Sequence, residues 1–111
     1  MPERNALGEF EMLVLAAVLR LGSGAYGAAV FGEVERTGRA VSMGAVYTTL
    51  ARLESRGLVE SRTGPPTQVR GGRRKKLYEL TAPGRAELST SVGRLRSLLA
   101  GTELQLGVGG S

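Results

Sequence analysis

Residues 42–62 read SMGAVYTTLARLESRGLVESR, and after a Gly- and Pro-bearing stretch the chain continues RGGRRKKLYELT at 70–81. Ser42 offers a side-chain oxygen to the free amides that open a helix, and Gly57 stops that helix after Arg56. Val46, Leu50 and Leu53 recur at spacings of four and three, the buried stripe of a helix. Ala45, Thr48, Thr49 and Arg52 are expected to point elsewhere. Leu58 to Arg62 and Lys76 to Leu80 are β-type runs, and Thr63-Gly64-Pro65-Pro66 with Gly71-Gly72 predicts a long, irregular hairpin loop between them. The pattern is a helix followed by a hairpin whose tip is loaded with arginine.

On the N-terminal side, Phe10, Leu13, Val14, Ala17, Val18 and Leu21 fall at helical spacing, while Met12, Leu15, Ala16 and Leu19 fill the opposite side. A helix apolar nearly all round is buried on two sides, against its own core and either a second subunit or more of its own domain. Gly22-Ser23-Gly24 breaks it. A second helix is predicted from Ala25 or Tyr26 to Thr37, with Val30, Phe31 and Val34 inward and Gly38 as its C-terminal cap. On the C-terminal side Thr81 caps a last helix that tolerates Pro83 in its first turn. Leu88, Val92, Leu95 and Leu99 form a stripe of under two heptads, with Leu98 beside it, suited to packing on a neighbouring helix. The Gly-rich residues 101–111 are expected to lack order.

Charge is uneven along the 111 residues. Residues 39–76 hold nine Lys/Arg against Glu54 and Glu60, whereas the whole chain nets only +5. A clustered basic patch draws polyanions and releases counterions from a phosphate backbone; the bland alternative is a solvated face. The chain has no Cys, His or Asp. This excludes disulfides, thiol chemistry, ordinary zinc sites and imidazole acid–base catalysis. No pair of its glutamates sits in a context suggesting a site, so a non-enzyme with no cofactor and no metal is expected. The longest apolar run, Met12 to Leu19, is far short of a membrane span, and without a basic leader the expected compartment is the cytoplasm.

Helix, helix, helix, hairpin, helix is the order of a winged helix-turn-helix, a mainly α fold with a small β-hairpin wing. In it the third helix enters the major groove by its N-terminal residues. Small Gly44 and Ala45 let that end approach closely. Ser42, Met43, Ala45, Thr48, Thr49 and Arg52 are candidates for base and phosphate contact, by hydroxyl, methyl or guanidinium. Tyr47, at the edge of the stripe, either reaches a phosphate from between helix and wing or is a half-buried core tyrosine. Arg70, Arg73, Arg74 and Lys75 suit backbone contact or a narrow minor groove.

The chain resembles the PadR family of transcriptional regulators, in its short form with one helix after the wing. The resemblance is carried by Ala25-Tyr26-Gly27, by Val41 to Leu50 with Leu53-Glu54 and Gly57-Leu58-Val59, and by Arg70-Gly71-Gly72-Arg73 with Tyr78, Leu80-Thr81 and Gly84. It spans roughly residues 7–100. It implies a homodimer that binds double-stranded operator DNA, usually as a repressor, with the last helix packed on the partner's first. Phe10, Leu15, Leu19, Leu88, Val92, Leu95 and Leu99 are the expected dimer contacts. Residues 1–81 are then the DNA-binding domain, 82–100 a dimerisation helix and 101–111 a tail. Small phenolic or hydrophobic effectors serve better-understood members of the family; this chain has no Trp, and its last helix has no aromatic ring to stack on one. The competing reading is a protein-interaction module that reuses the winged helix as a scaffold.

Overall fold

Three of the four α-helices open on a side-chain hydrogen bond to a free amide. In the computed structural model, which describes residues 7–66 and 74–105, α1 spans Glu9–Leu21. The Glu11 carboxylate reaches back to accept the Gly8 N–H at 3.0 Å, satisfying one of the amides a helix start leaves free. A single 3-10 turn, Gly22–Gly24, leads to α2, Gly27–Arg36. Ser42 Oγ accepts from the Ala45 N–H at 3.1 Å and opens α3, Met43–Ser55, as the sequence predicts. Gly57 follows with φ 76°, a left-handed conformation that closes α3 without side-chain strain.

The chain then forms an antiparallel hairpin of β1, Val59–Pro66, and β2, Arg74–Leu80. Both strands run further than the sequence suggests, because Thr63 to Pro66 continues β1 instead of forming loop. A register shift between Thr63 and Pro66 accommodates the prolines, which have no ladder N–H to give and are tolerated at such irregularities. Tyr26 pairs with Leu77, and the Tyr78 N–H donates to the Ala25 carbonyl at 3.0 Å, so the segment before α2 ties the hairpin to the helices.

α4 spans Ala82–Leu99. Thr81 Oγ1 accepts from the Gly84 N–H at 3.0 Å and donates to the Gly57 carbonyl at 2.7 Å. Gly84 itself packs so closely on the Leu58 carbonyl that a Cβ there would collide with backbone. Residues 101–105, expected to lack order, form a turn in which Thr102 Oγ1 donates to the Leu99 carbonyl at 2.6 Å; residues 106–111 lie outside the described residues.

One core joins all the elements: Val14, Leu15 and Val18 of α1, Val30 and Val34 of α2, Val46, Leu50 and Leu53 of α3, Val59, Tyr78 and Leu80 of the hairpin, and Leu88 of α4. α1 is its centre. Leu15 is fully buried there and Leu88 nearly so, within a single protomer. Neither is exposed for the partner contacts the resemblance implied, because their positions face α1's own neighbours. The result is the mainly helical, winged helix-turn-helix architecture expected, with a helix after the wing.

Candidate nucleic-acid interface

The buried stripe of α3 decides which of its side chains remain outside. Val46, Leu50 and Leu53 anchor the helix, leaving Ser42, Met43, Gly44, Tyr47, Thr48 and Arg52 exposed and Ala45 half-covered. Thr49 departs from expectation. It lies three residues after Val46, on the same face, and is only 4% exposed, so it cannot present its hydroxyl outward as predicted. The periodicity contained this placement, and the small polar side chain concealed it.

Tyr47 is half-covered at the edge of the stripe. Its ring lies over Gly27, the first residue of α2, so closely that a Cβ at Gly27 would run into it. The ring is 45% exposed, and among the described residues its hydroxyl has no hydrogen-bond partner. Ala25-Tyr26-Gly27 thus has three tasks: a buried carbonyl for Tyr78, a bridge to Leu77, and space for Tyr47.

On the hairpin, Lys75 Nζ stands 5.3 Å from the centre of the Tyr26 ring, within cation–π range. That contact seats the base of the wing against the start of α2. Lys76 is exposed. Arg70 and Arg73 lie outside the described residues, and Arg74 enters β2.

Three arginines of the described patch have company that no local pattern reveals. Arg39 Nε lies 3.0 Å from Glu9 and its guanidinium 5.2 Å from the Phe10 ring centre. Arg56 approaches Glu11 to 3.4 Å and Arg52 approaches the same carboxylate to 3.9 Å. Arg62, Lys75 and Lys76 have no acidic partner among the described residues. Two glutamates of α1 therefore trim the positive field beside α3.

The model of the transcriptional regulator PadR-like family matches residues 14–90, most of the chain and all the elements from the middle of α1 to the middle of α4. This chain belongs to the PadR-like family of transcriptional regulators. The chain is 38% identical over 73 residues to the transcriptional regulator Rv3488 of Mycobacterium tuberculosis, an alignment covering 66% of this chain and 64% of that protein. Among solved structures it is similar to a PadR family transcription regulator from Clostridium difficile R20291, with TM-score 0.69, 24% identity and coverage of 82% of this chain and 91% of that one. It is also similar to a PadR family transcriptional regulator from Eggerthella lenta DSM 2243, with TM-score 0.62, 26% identity and coverage of 81% and 79%.

The remaining exposed apolar surface of this PadR-like chain is concentrated on α4. Every residue from 93 to 98 is exposed; Leu95 is 47% and Leu98 80% accessible, and Leu104 beyond the helix is open too. Leu19 is the large apolar side chain that α1 leaves outside, whereas Phe10, Val92 and Leu99 are partly covered. Leu98 and Leu104 are absent from the contacts expected from sequence, the first because it stands beside the heptad seam and the second because it lies past the helix. No described helix is long and apolar enough to cross a membrane.

Proposed function

We propose that this PadR-like regulator is a homodimeric DNA-binding repressor that reads a pseudo-palindromic operator. One observation carries the reading: the N-terminal face of α3 is open and has no ion-pair partner among the described residues, while the opposite face is locked into the core. In this reading Ser42, Met43, Gly44, Ala45, Tyr47 and Thr48 meet the major groove, with the Tyr47 hydroxyl and the Arg52 guanidinium on phosphates. Arg70, Arg73, Arg74 and Lys75 track the neighbouring backbone. Residues 1–81 are the reading domain. Leu19, Leu95, Leu98 and Leu99, with Val92 and Phe10 at the margin, meet a second copy, since an 18-residue helix that buries only Gly84 and Leu88 within its own protomer invites a partner. Two-fold symmetry then sets the half-sites about one helical turn apart, ~34 Å.

A gel-shift titration on the gene's own upstream DNA, run at several salt concentrations beside gel filtration, tests this. A dimer with salt-sensitive binding is expected. Arg73→Ala with Arg74→Ala weakens binding to every sequence and flattens the salt dependence, while Thr48→Ala changes the preferred base. A dimer that ignores DNA at low salt would instead favour the interaction-module reading.

A further inference from the structure

Glu11 is held from three directions. Its carboxylate accepts the Gly8 N–H at 3.0 Å and lies 3.4 Å from Arg56 Nη1 and 3.9 Å from Arg52 Nη1. The glutamate side chain is 16% exposed, whereas that of Arg52 is 55% exposed on the reading helix. The pair is thus asymmetric: a fixed anion beside a cation with freedom to leave.

We infer that Glu11 sets the DNA affinity of this protein by competing with phosphate for Arg52. This rests on the DNA-binding reading above and adds to it a residue of α1. An exposed ion pair is weak, so a phosphate oxygen can draw Arg52 away. Glu11 cannot follow or turn outward, because the Gly8 amide and Arg56 hold it. It remains as an immobile negative charge close to the incoming backbone, and the complex bears both the broken pair and the repulsion. Binding is weaker, and its salt slope shallower, than the count of arginines in residues 39–76 implies. Such a brake would favour release from non-cognate DNA, where phosphate attraction supplies most of the affinity.

The test uses the full chain and two duplexes, one of arbitrary sequence and one from the gene's own upstream region, followed by fluorescence anisotropy across a salt series. Glu11→Gln keeps the acceptor that caps α1 and removes the charge; Glu11→Met removes both the acceptor and the charge at similar size. Both variants are expected to bind the arbitrary duplex about three- to tenfold more tightly at ~0.1 M salt, as for loss of one surface charge near another. The salt slope should steepen, by less than the ~0.9 of one whole additional phosphate contact, since Arg52 already meets phosphate in the wild type. In an Arg52→Ala background the gain should fall to less than half. Thermal melts establish that each variant is folded. Unchanged or weaker binding by the charge-free variants overturns the inference, as does a gain that survives intact without Arg52. If the wild-type chain binds neither duplex at low salt, it is the DNA-binding reading that falls, and the inference with it.

Discussion

Three residues show how little space the fold leaves around its joints. Gly84 faces the Leu58 carbonyl at the start of α4, where the nearest atoms are backbone and cannot swing aside. Gly84→Ala is expected to cost about 1–3 kcal/mol, the usual penalty of overpacking, read as a lower urea midpoint at fixed protein concentration. A midpoint equal to wild type would mean that α4 is not seated on this carbonyl. Gly27 is tight for a different reason, since its neighbour is the far end of the Tyr47 ring. A methyl there should displace Tyr47 more than it destabilises the chain. Thr49 is the third. Its buried hydroxyl has no hydrogen-bond partner among the described residues, and leaving such a group unpaired costs about 1–3 kcal/mol. Thr49→Val should therefore raise stability, by up to ~1 kcal/mol once imperfect repacking is allowed for, and leave base preference untouched. A change in preferred base, measured by binding selection, would return Thr49 to the DNA surface.

At the scale of elements, the hairpin is bound to the helices through Tyr78. Its ring is buried, its N–H is donated to Ala25, and Glu54 lies near enough to oppose a phenolate. Burial first, then the charge of Glu54 and the proximity of Tyr47, push its pKa above the ordinary tyrosine value. A folded-state pKa raised above the unfolded one means the stabilisation is complete below about pH 10, the ordinary value, and is lost as pH rises through the folded value. The stability difference between wild type and Tyr78→Phe should accordingly be constant from pH 7 to ~9 and shift against wild type above ~10. Denaturant titrations of the pair at those pH values check it; a difference that grows in favour of wild type at high pH would mean the phenolate is accommodated. Element boundaries were legible wherever a capping residue marked them, as at Ser42, Gly57 and Thr81. They were not legible at Thr63 to Pro66, because whether a Pro-bearing segment pairs depends on the strand opposite it and not on its own preferences.

For the whole molecule, α4 separates contacts that hold the protomer from those available to a second copy. Leu95 and Leu98 are exposed, so Leu95→Glu with Leu98→Glu should leave the monomer folded, raise the dimer dissociation constant more than ~100-fold and abolish operator binding. Sedimentation and circular dichroism measure the first two and a gel shift the third, and a double variant that still sediments as a dimer removes this stripe from the interface. Leu15→Glu or Leu88→Glu is expected to unfold the chain instead, because both side chains sit in its core. A heptad spacing places Leu88 and Leu95 on one stripe; only the path of the chain around them determines which is already covered.

Composition and periodicity determined much of this protein by themselves. The absence of Cys, His and Asp removed whole classes of chemistry, and the order of three helices, a hairpin and a last helix was written in spacings of three, four and two residues. Those features are local, set by the residue and its near neighbours along the chain. What the tertiary structure alone decided is which charges meet. Glu9 and Glu11 stand beside Arg39, Arg52 and Arg56, Tyr47 rests on Gly27, and Leu15 turns inward. Coulomb attraction and van der Waals contact act over a few ångströms of space regardless of separation in sequence, so a patch counted as basic along the chain is partly neutralised once α1 folds across it.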